Sequence, residues 1–234
     1  MKKLSLILIG MAIAAMPLST AVADRNLNPG VAGIQSNPHG QSYAEWAADW
    51  WKWAVGQTFE NTALLDFFNG ADCSAAQQGH VWFLGGTFGI VPGIDRECTV
   101  PAGTALLFPI VNAAYFAFLD DPPETRTEEF IRAQVACFDY EVFASIDGVE
   151  VQGAIRYFEQ SPIFEAFLPE GNAFGLPSML LSPSVDQGIY LFVRPLSVGE
   201  HTVEFLGTAT CPIDSDTFTF TDGASYAITV VPHN

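Results

Sequence analysis

The sequence predicts a mainly β fold: an antiparallel β-sandwich or jelly roll, with two short helices packed at an edge or end. Three observations predict it. About ten short segments carry strand character and are separated by turn signals. Only two segments carry helical spacing behind a capping motif. No βαβ alternation and no fixed-period repeat runs through the chain.

The elements follow in order. Lys2 and Lys3 precede an apolar run from Leu4 to Met16, shorter than the ~20 residues that span a bilayer. Ala21-Val22-Ala23 places small residues where a signal peptidase reads them. Residues 1–23 are therefore expected to be an export signal cut before Asp24, leaving no membrane anchor. Residues 24–41, rich in Asn, Gly and Pro, read as an extended leader. Residues 42–234 read as one sandwich domain, with a candidate subdomain seam at 120–125.

Ser42-x-x-Glu45 is a capping box and Gly56 a helix stop. Between them Tyr43, Trp46, Trp50, Trp53 and Ala54 recur at helical spacing, with Glu45, Asp49 and Lys52 on the opposite face. This helix is expected to plug the open end of the sandwich. Strands are expected at 80–84, continuing past a bulge at 87–91, and at 97–100 and 104–111. Thr125-x-x-Glu128 is a second capping box, opening a helix through about Cys137. Asp147-Gly148 sits between 140–146 and 149–151 as a tight hairpin signal. Further strands are expected at 154–158, 163–168, 189–193, 202–206, 217–221 and 226–231, with a polar loop at 169–177.

Composition bounds the function. The 234 residues hold 26 acidic and 9 basic side chains, a net charge of -17, with 49% hydrophobic residues. That apolar content excludes a disordered chain. The charge excludes a nucleic-acid partner, because phosphate binding needs a basic face. Cys73, Cys98, Cys137 and Cys211 form an even set in the exported part. They imply two disulfides and an oxidising compartment, secreted or periplasmic. Of the three connectivities, Cys73–Cys98 with Cys137–Cys211 is favoured. No C-x-x-C spacing supports a cysteine-ligated metal.

Candidate chemistry is sparse. Trp51 lies at the border of the apolar arc of its helix, beside Asp49 and Glu45. An exposed indole with a carboxylate rim suits a sugar ring. Glu45 and Asp49, four residues apart, are also a carboxylate pair of the sort glycosidases use, although acids near a helix N-terminus suit its dipole without further purpose. His201 opens a strand in which Val203 and Phe205 share its face, and the role of a hydrogen-bonded core histidine is expected for it. Asp214-x-Asp216, with Asp222 later, offers oxygen ligands that suit calcium, as do Asp120, Asp121 and Glu124; no other cofactor is expected. No G-x-S-x-G elbow and no phosphate loop occurs. The expectation is an exported, non-catalytic binding or surface-associated protein for a glycan or another protein. The alternative is a secreted hydrolase or lyase acting on a polysaccharide or small ester, drawing on Asp49, Glu159 and His201. Convergence of Trp51, Asp49, Glu159 and His201 on one pocket would favour the enzyme.

Several stretches together resemble an uncharacterised family of secreted bacterial proteins. They are Trp50-Trp51-Lys52-Trp53, the run from Val81 to Gly89, and Cys98 to Gly103 leading to Phe108, Pro109 and Asn112. Ser161-Pro162-x-Phe164 and the run from Pro195 to His201 follow. The resemblance spans most of residues 42–231 and implies no activity. Where such chains often have Asp-Gly-Tyr-Tyr, this one has Asp186-Gln187-Gly188-Ile189-Tyr190.

Overall fold

A computed structural model describes residues 28, 30–60, 62, 64, 73–88, 93–213 and 216–232. The expected export signal at 1–23, the start of the expected leader, residues 89–91, Asp214 and His233 lie outside them. The described residues form two α-helices, α1 (Tyr43–Val55) and α2 (Glu128–Val135). They also form ten strands: β1 (Val81–Phe83), β2 (Asp95–Pro101), β3 (Ala105–Phe118), β4 (Asp139–Ile146), β5 (Val149–Glu150), β6 (Phe158–Gln160), β7 (Phe164–Leu168), β8 (Met179–Val193), β9 (Gly199–Ile213) and β10 (Asp216–Val231).

The strands make two five-stranded sheets, and the mainly β sandwich class expected from the sequence is what they build. One sheet has the order β1-β3-β8-β6, with β7 also pairing β8; the other has the order β2-β10-β9-β4-β5. The sheets are mixed rather than wholly antiparallel. β1 pairs β3 in parallel, and β2 pairs β10 in parallel. The cause is topological: the chain runs from β1 into the second sheet for β2 and back for β3, so β1 and β3 meet without a hairpin between them.

Side-chain alternation sorts the layers. On β8 the odd-numbered positions face the second sheet: Leu191 pairs Phe108, whose ring stacks 4.7 Å from Phe205 of β9. The even-numbered positions face α1, where Phe192 meets the edge of Tyr43. β8 is therefore buried on both faces from Val185 to Val193. This explains why its apolar run lacks strict alternation. It also corrects the expected placement of α1, which lies across the outer face of the first sheet instead of plugging an end. α2 covers the inner face of β3 and β8 around Ala113, Ala117 and Val185.

The local signals were realised with four shifts, the first being that β1 stops at Phe83 and residues 84–88 carry no strand, so the expected continuation at 87–91 is absent from its described part. Ser42 and Glu45 cap α1 reciprocally, with Glu45 N–H donating to Ser42 Oγ (3.3 Å) and Ser42 N–H to the Glu45 carboxylate (2.8 Å). The Asp147-Gly148 turn has both residues at positive φ, 51° and 72°, as a tight hairpin requires. The second cap is Thr127 instead of Thr125. Pro122 and Pro123 start a 3-10 turn that absorbs Thr125, whose hydroxyl donates to the Pro122 carbonyl, and Thr127 Oγ1 accepts from Phe130 N–H. Residues 154–157 form a 3-10 turn before β6, not a strand. The segments expected at 217–221 and 226–231 are one strand. It runs through Asp222-Gly223 because a side chain at 223 would sit 2.5 Å from the Phe205 carbonyl, which glycine avoids.

Two disulfides, Cys73–Cys98 and Cys137–Cys211, pair all four cysteines. The second ties the end of α2 to β9. Such bonds fit an oxidising, extracytoplasmic setting. Among the described residues no helix is long and apolar enough to cross a membrane.

Candidate functional site

A charged residue in the middle of an apolar strand demands a partner. Asp186 on β8 is such a residue, and only 1% of it is exposed. Its position is set from both sides of the ladder, with Ser161 N–H donating to its carbonyl and its own N–H donating to Ser161 Oγ, each at 2.9 Å. The even register aims the carboxyl at α1. There Trp51 Nε1–H donates to Oδ1 at 2.7 Å and the Tyr190 hydroxyl donates to Oδ2 at 2.7 Å. Asn112 Nδ2 on β3 donates to the same Tyr190 oxygen at 2.6 Å. Burial pushes the Asp186 carboxyl up to about 8, opposed by bonds from Trp51, Tyr190 and Asn112. Burial and the neighbouring carboxyl likewise push the Tyr190 hydroxyl well above its usual range.

A cavity of about 600 Å³ opens beside this cluster, within the range typical of small-ligand sites. It exists because β1 pairs with β3 only from Ala105 to Leu107. Beyond that, no described strand pairs this side of β3. Trp50 and Trp51 of α1, Phe88, Asn112 of β3, Gln134 of α2, Phe138, and Phe218, Phe220 and Asp222 of β10 stand around it. Trp50 is held by its Nε1–H to the Leu84 carbonyl (2.7 Å), and Trp51 stacks toward Phe88 with ring centres 6.1 Å apart. Phe218 is half exposed at the mouth. Asp222 accepts from Thr87 N–H (2.7 Å) and Gly223 N–H (2.8 Å). The arrangement offers aromatic faces, amide donors and acceptors and one carboxylate: chemistry for holding a ring-bearing molecule.

The residues singled out in the sequence do not meet in this cavity, Trp51 and Asp222 excepted. Trp51 is 93% buried, so most of its indole is occupied by the protein itself. Glu45 is spent on the helix cap, whose bonds from Ser42 lower its carboxyl. Asp49 pairs with Lys52 at 2.9 Å and accepts from Gln41 at 2.8 Å. Glu159 lies on β6 opposite Gly188, its carboxyl raised by burial.

His201 is hydrogen-bonded as expected but sits at the far hairpin instead of in the core, because the Asp147 turn holds its ring. Its Nδ1 is 2.8 Å from Asp147 Oδ2, while its Nε2 is 2.9 Å from the Ser197 carbonyl and 3.2 Å from Ser197 Oγ. The three side chains have the order of a nucleophilic triad, but the carbonyl competes. A ring nitrogen facing a carbonyl at this distance carries a proton, so it is not free to take one from the serine. The imidazole instead fastens the β4–β5 turn to the loop before β9. Asp216 is exposed. No three His, Cys, Asp or Glu side chains come together as metal ligands among the described residues.

Asp186, Asn112 and Tyr190 were not anticipated. One signal was present: an ionisable residue followed by Gln187 in a strand otherwise apolar through Val193. No protein-family model matches the chain. No curated protein matches it either.

Proposed function

We propose that this chain is an exported, non-catalytic binding protein and that the cavity beside β3 holds a ring-bearing ligand, a glycan first among them. The cavity itself carries the reading. Its aromatic faces offer stacking surface, and Asn112, Gln134, Thr219 and Asp222 offer hydrogen bonds to hydroxyls. A net charge of -17 disfavours an anionic ligand. Trp50, Trp51, Phe88 and Asn112 belong to three of the five stretches that resemble the secreted bacterial family, and all four line this one cavity. The test is titration calorimetry against neutral and acidic oligosaccharides, with Phe218→Ala and Asn112→Ala alongside. Neutral sugars should bind and both variants should weaken them. Absence of binding across sugar classes, or binding that both variants leave intact, overturns the reading.

A further inference from the structure

The cavity wall is held from behind by a group that does not line the cavity. Trp51 comes from α1, Asn112 from β3, and Asp186 and Tyr190 from β8; in the chain Trp51 and Asp186 are 135 positions apart. Trp51 and Asn112 line the cavity, whereas Asp186 does not. Trp51 reaches the carboxyl directly at 2.7 Å, and Asn112 reaches it through the Tyr190 hydroxyl by bonds of 2.6 and 2.7 Å. Every side-chain group arriving at the carboxyl is an N–H or O–H donor. A donor-only surrounding grips an ionised carboxylate more strongly than a neutral acid.

We propose that Asp186 is a positioning residue that sets the orientation of Trp51 and Asn112 in the cavity wall, so that its ionisation tightens the wall and raises ligand affinity. This rests on the ligand-binding reading of the cavity. The carboxyl is pushed up to about 8 by burial, so the change falls in neutral to alkaline water. Neighbouring groups are few. Tyr190 on the same strand and Tyr140 of β4, whose hydroxyl is 3.3 Å from the Gln187 carbonyl, are both raised by burial and stay neutral there. Glu159 of β6 pairs opposite Gly188, and Arg132 of α2 donates to the Ser161 carbonyl at 3.2 Å. Asp49 and Lys52 of α1 pair with each other, and Asp222 of β10 lies across the cavity. No ionised side chain is among the causes that shift Asp186.

The experiment has two arms on the full exported chain. In the first, the Trp51 indole N–H is followed by ¹⁵N–¹H NMR from pH 6 to 9.5, its peak assigned by its loss in Trp51→Phe. It should titrate in the wild type and in Glu159→Gln, stay flat in Asp186→Asn, and recover its titration in Asp186→Glu. In the second, p-nitrophenyl β-glucopyranoside is titrated as a probe of the cavity. Its affinity should rise several-fold over that range in the wild type, stay level in Asp186→Asn, and fall about tenfold in Asp186→Ala. An indole signal indifferent to pH, or titrating equally in Asp186→Asn, overturns the proposal whether or not the probe binds. A titrating indole with a probe affinity that ignores pH overturns the coupling to ligand. Loss of all probe binding in the wild type counts against the cavity reading, while the indole arm still decides whether Asp186 holds Trp51.

Discussion

Replacing Asp186 by asparagine should change how stability depends on pH, in a direction opposite to that of acids held ionised by an ion pair. An acid whose folded value lies above its unfolded one binds its proton more tightly when folded. Stability is then lost as pH rises from the unfolded value toward the folded one. For Asp186 those values are 3.8 and about 8. At about 1.4 kcal/mol per unit, the wild type loses on the order of 6 kcal/mol across that window. This is a large part of the ~5–15 kcal/mol that a domain commands. Asparagine keeps an acceptor for Trp51 Nε1–H and cannot ionise. It faces Tyr190 with a donor where the carboxylate accepted, a mismatch worth ~1–3 kcal/mol at every pH. Asp186→Asn should therefore be less stable than wild type near pH 4 and more stable near pH 8. Urea unfolding at pH 4, 5, 6, 7 and 8 measures the difference. Two parallel stability curves would show that burial does not govern this carboxyl, and the reasoning would fail.

Three further predictions come from other parts of the fold. The bond to Asp147 raises His201, while the bonds from His201 and Thr202 lower Asp147 against its burial. The pair's contribution is thus full only between the two ordinary values, ~4 to ~6.5. It is lost as pH rises through the folded His201 value, or falls through the folded Asp147 value. An NMR titration of the His201 ring should show the raised midpoint, and Asp147→Asn should return it toward ~6.5; an unshifted ring in the wild type would refute the pairing. Removing the Cys137–Cys211 bridge, whose cysteines are 74 apart in sequence, by a double serine substitution should cost ~4 kcal/mol in denaturant unfolding. Gly223→Ala should destabilise by ~1–3 kcal/mol, because its methyl would press on the Phe205 carbonyl at 2.5 Å between β9 and β10; a neutral result in thermal unfolding would mean that the two strands part freely there.

What neighbouring residues decide was legible in the chain. The Ser42–Glu45 cap, the tryptophan spacing of α1, the Asp147-Gly148 turn and the alternation of β9 all depend on contacts a few positions apart, and each formed in place. The cysteine count indicated two bridges, and they formed in the favoured pairing. Strand lengths were less legible, because β8 and β10 continue through glycines and polar residues that only a partner strand makes tolerable. The site was hidden for a different reason. Asn112 meets Tyr190 across 78 positions, and Trp51 meets Asp186 across 135. Those meetings depend on the crossover after which no described strand pairs that side of β3 beyond Leu107, on the register of β8, and on α1 lying over a sheet face. None of these is set by local spacing, and all of them emerge only when the layers pack.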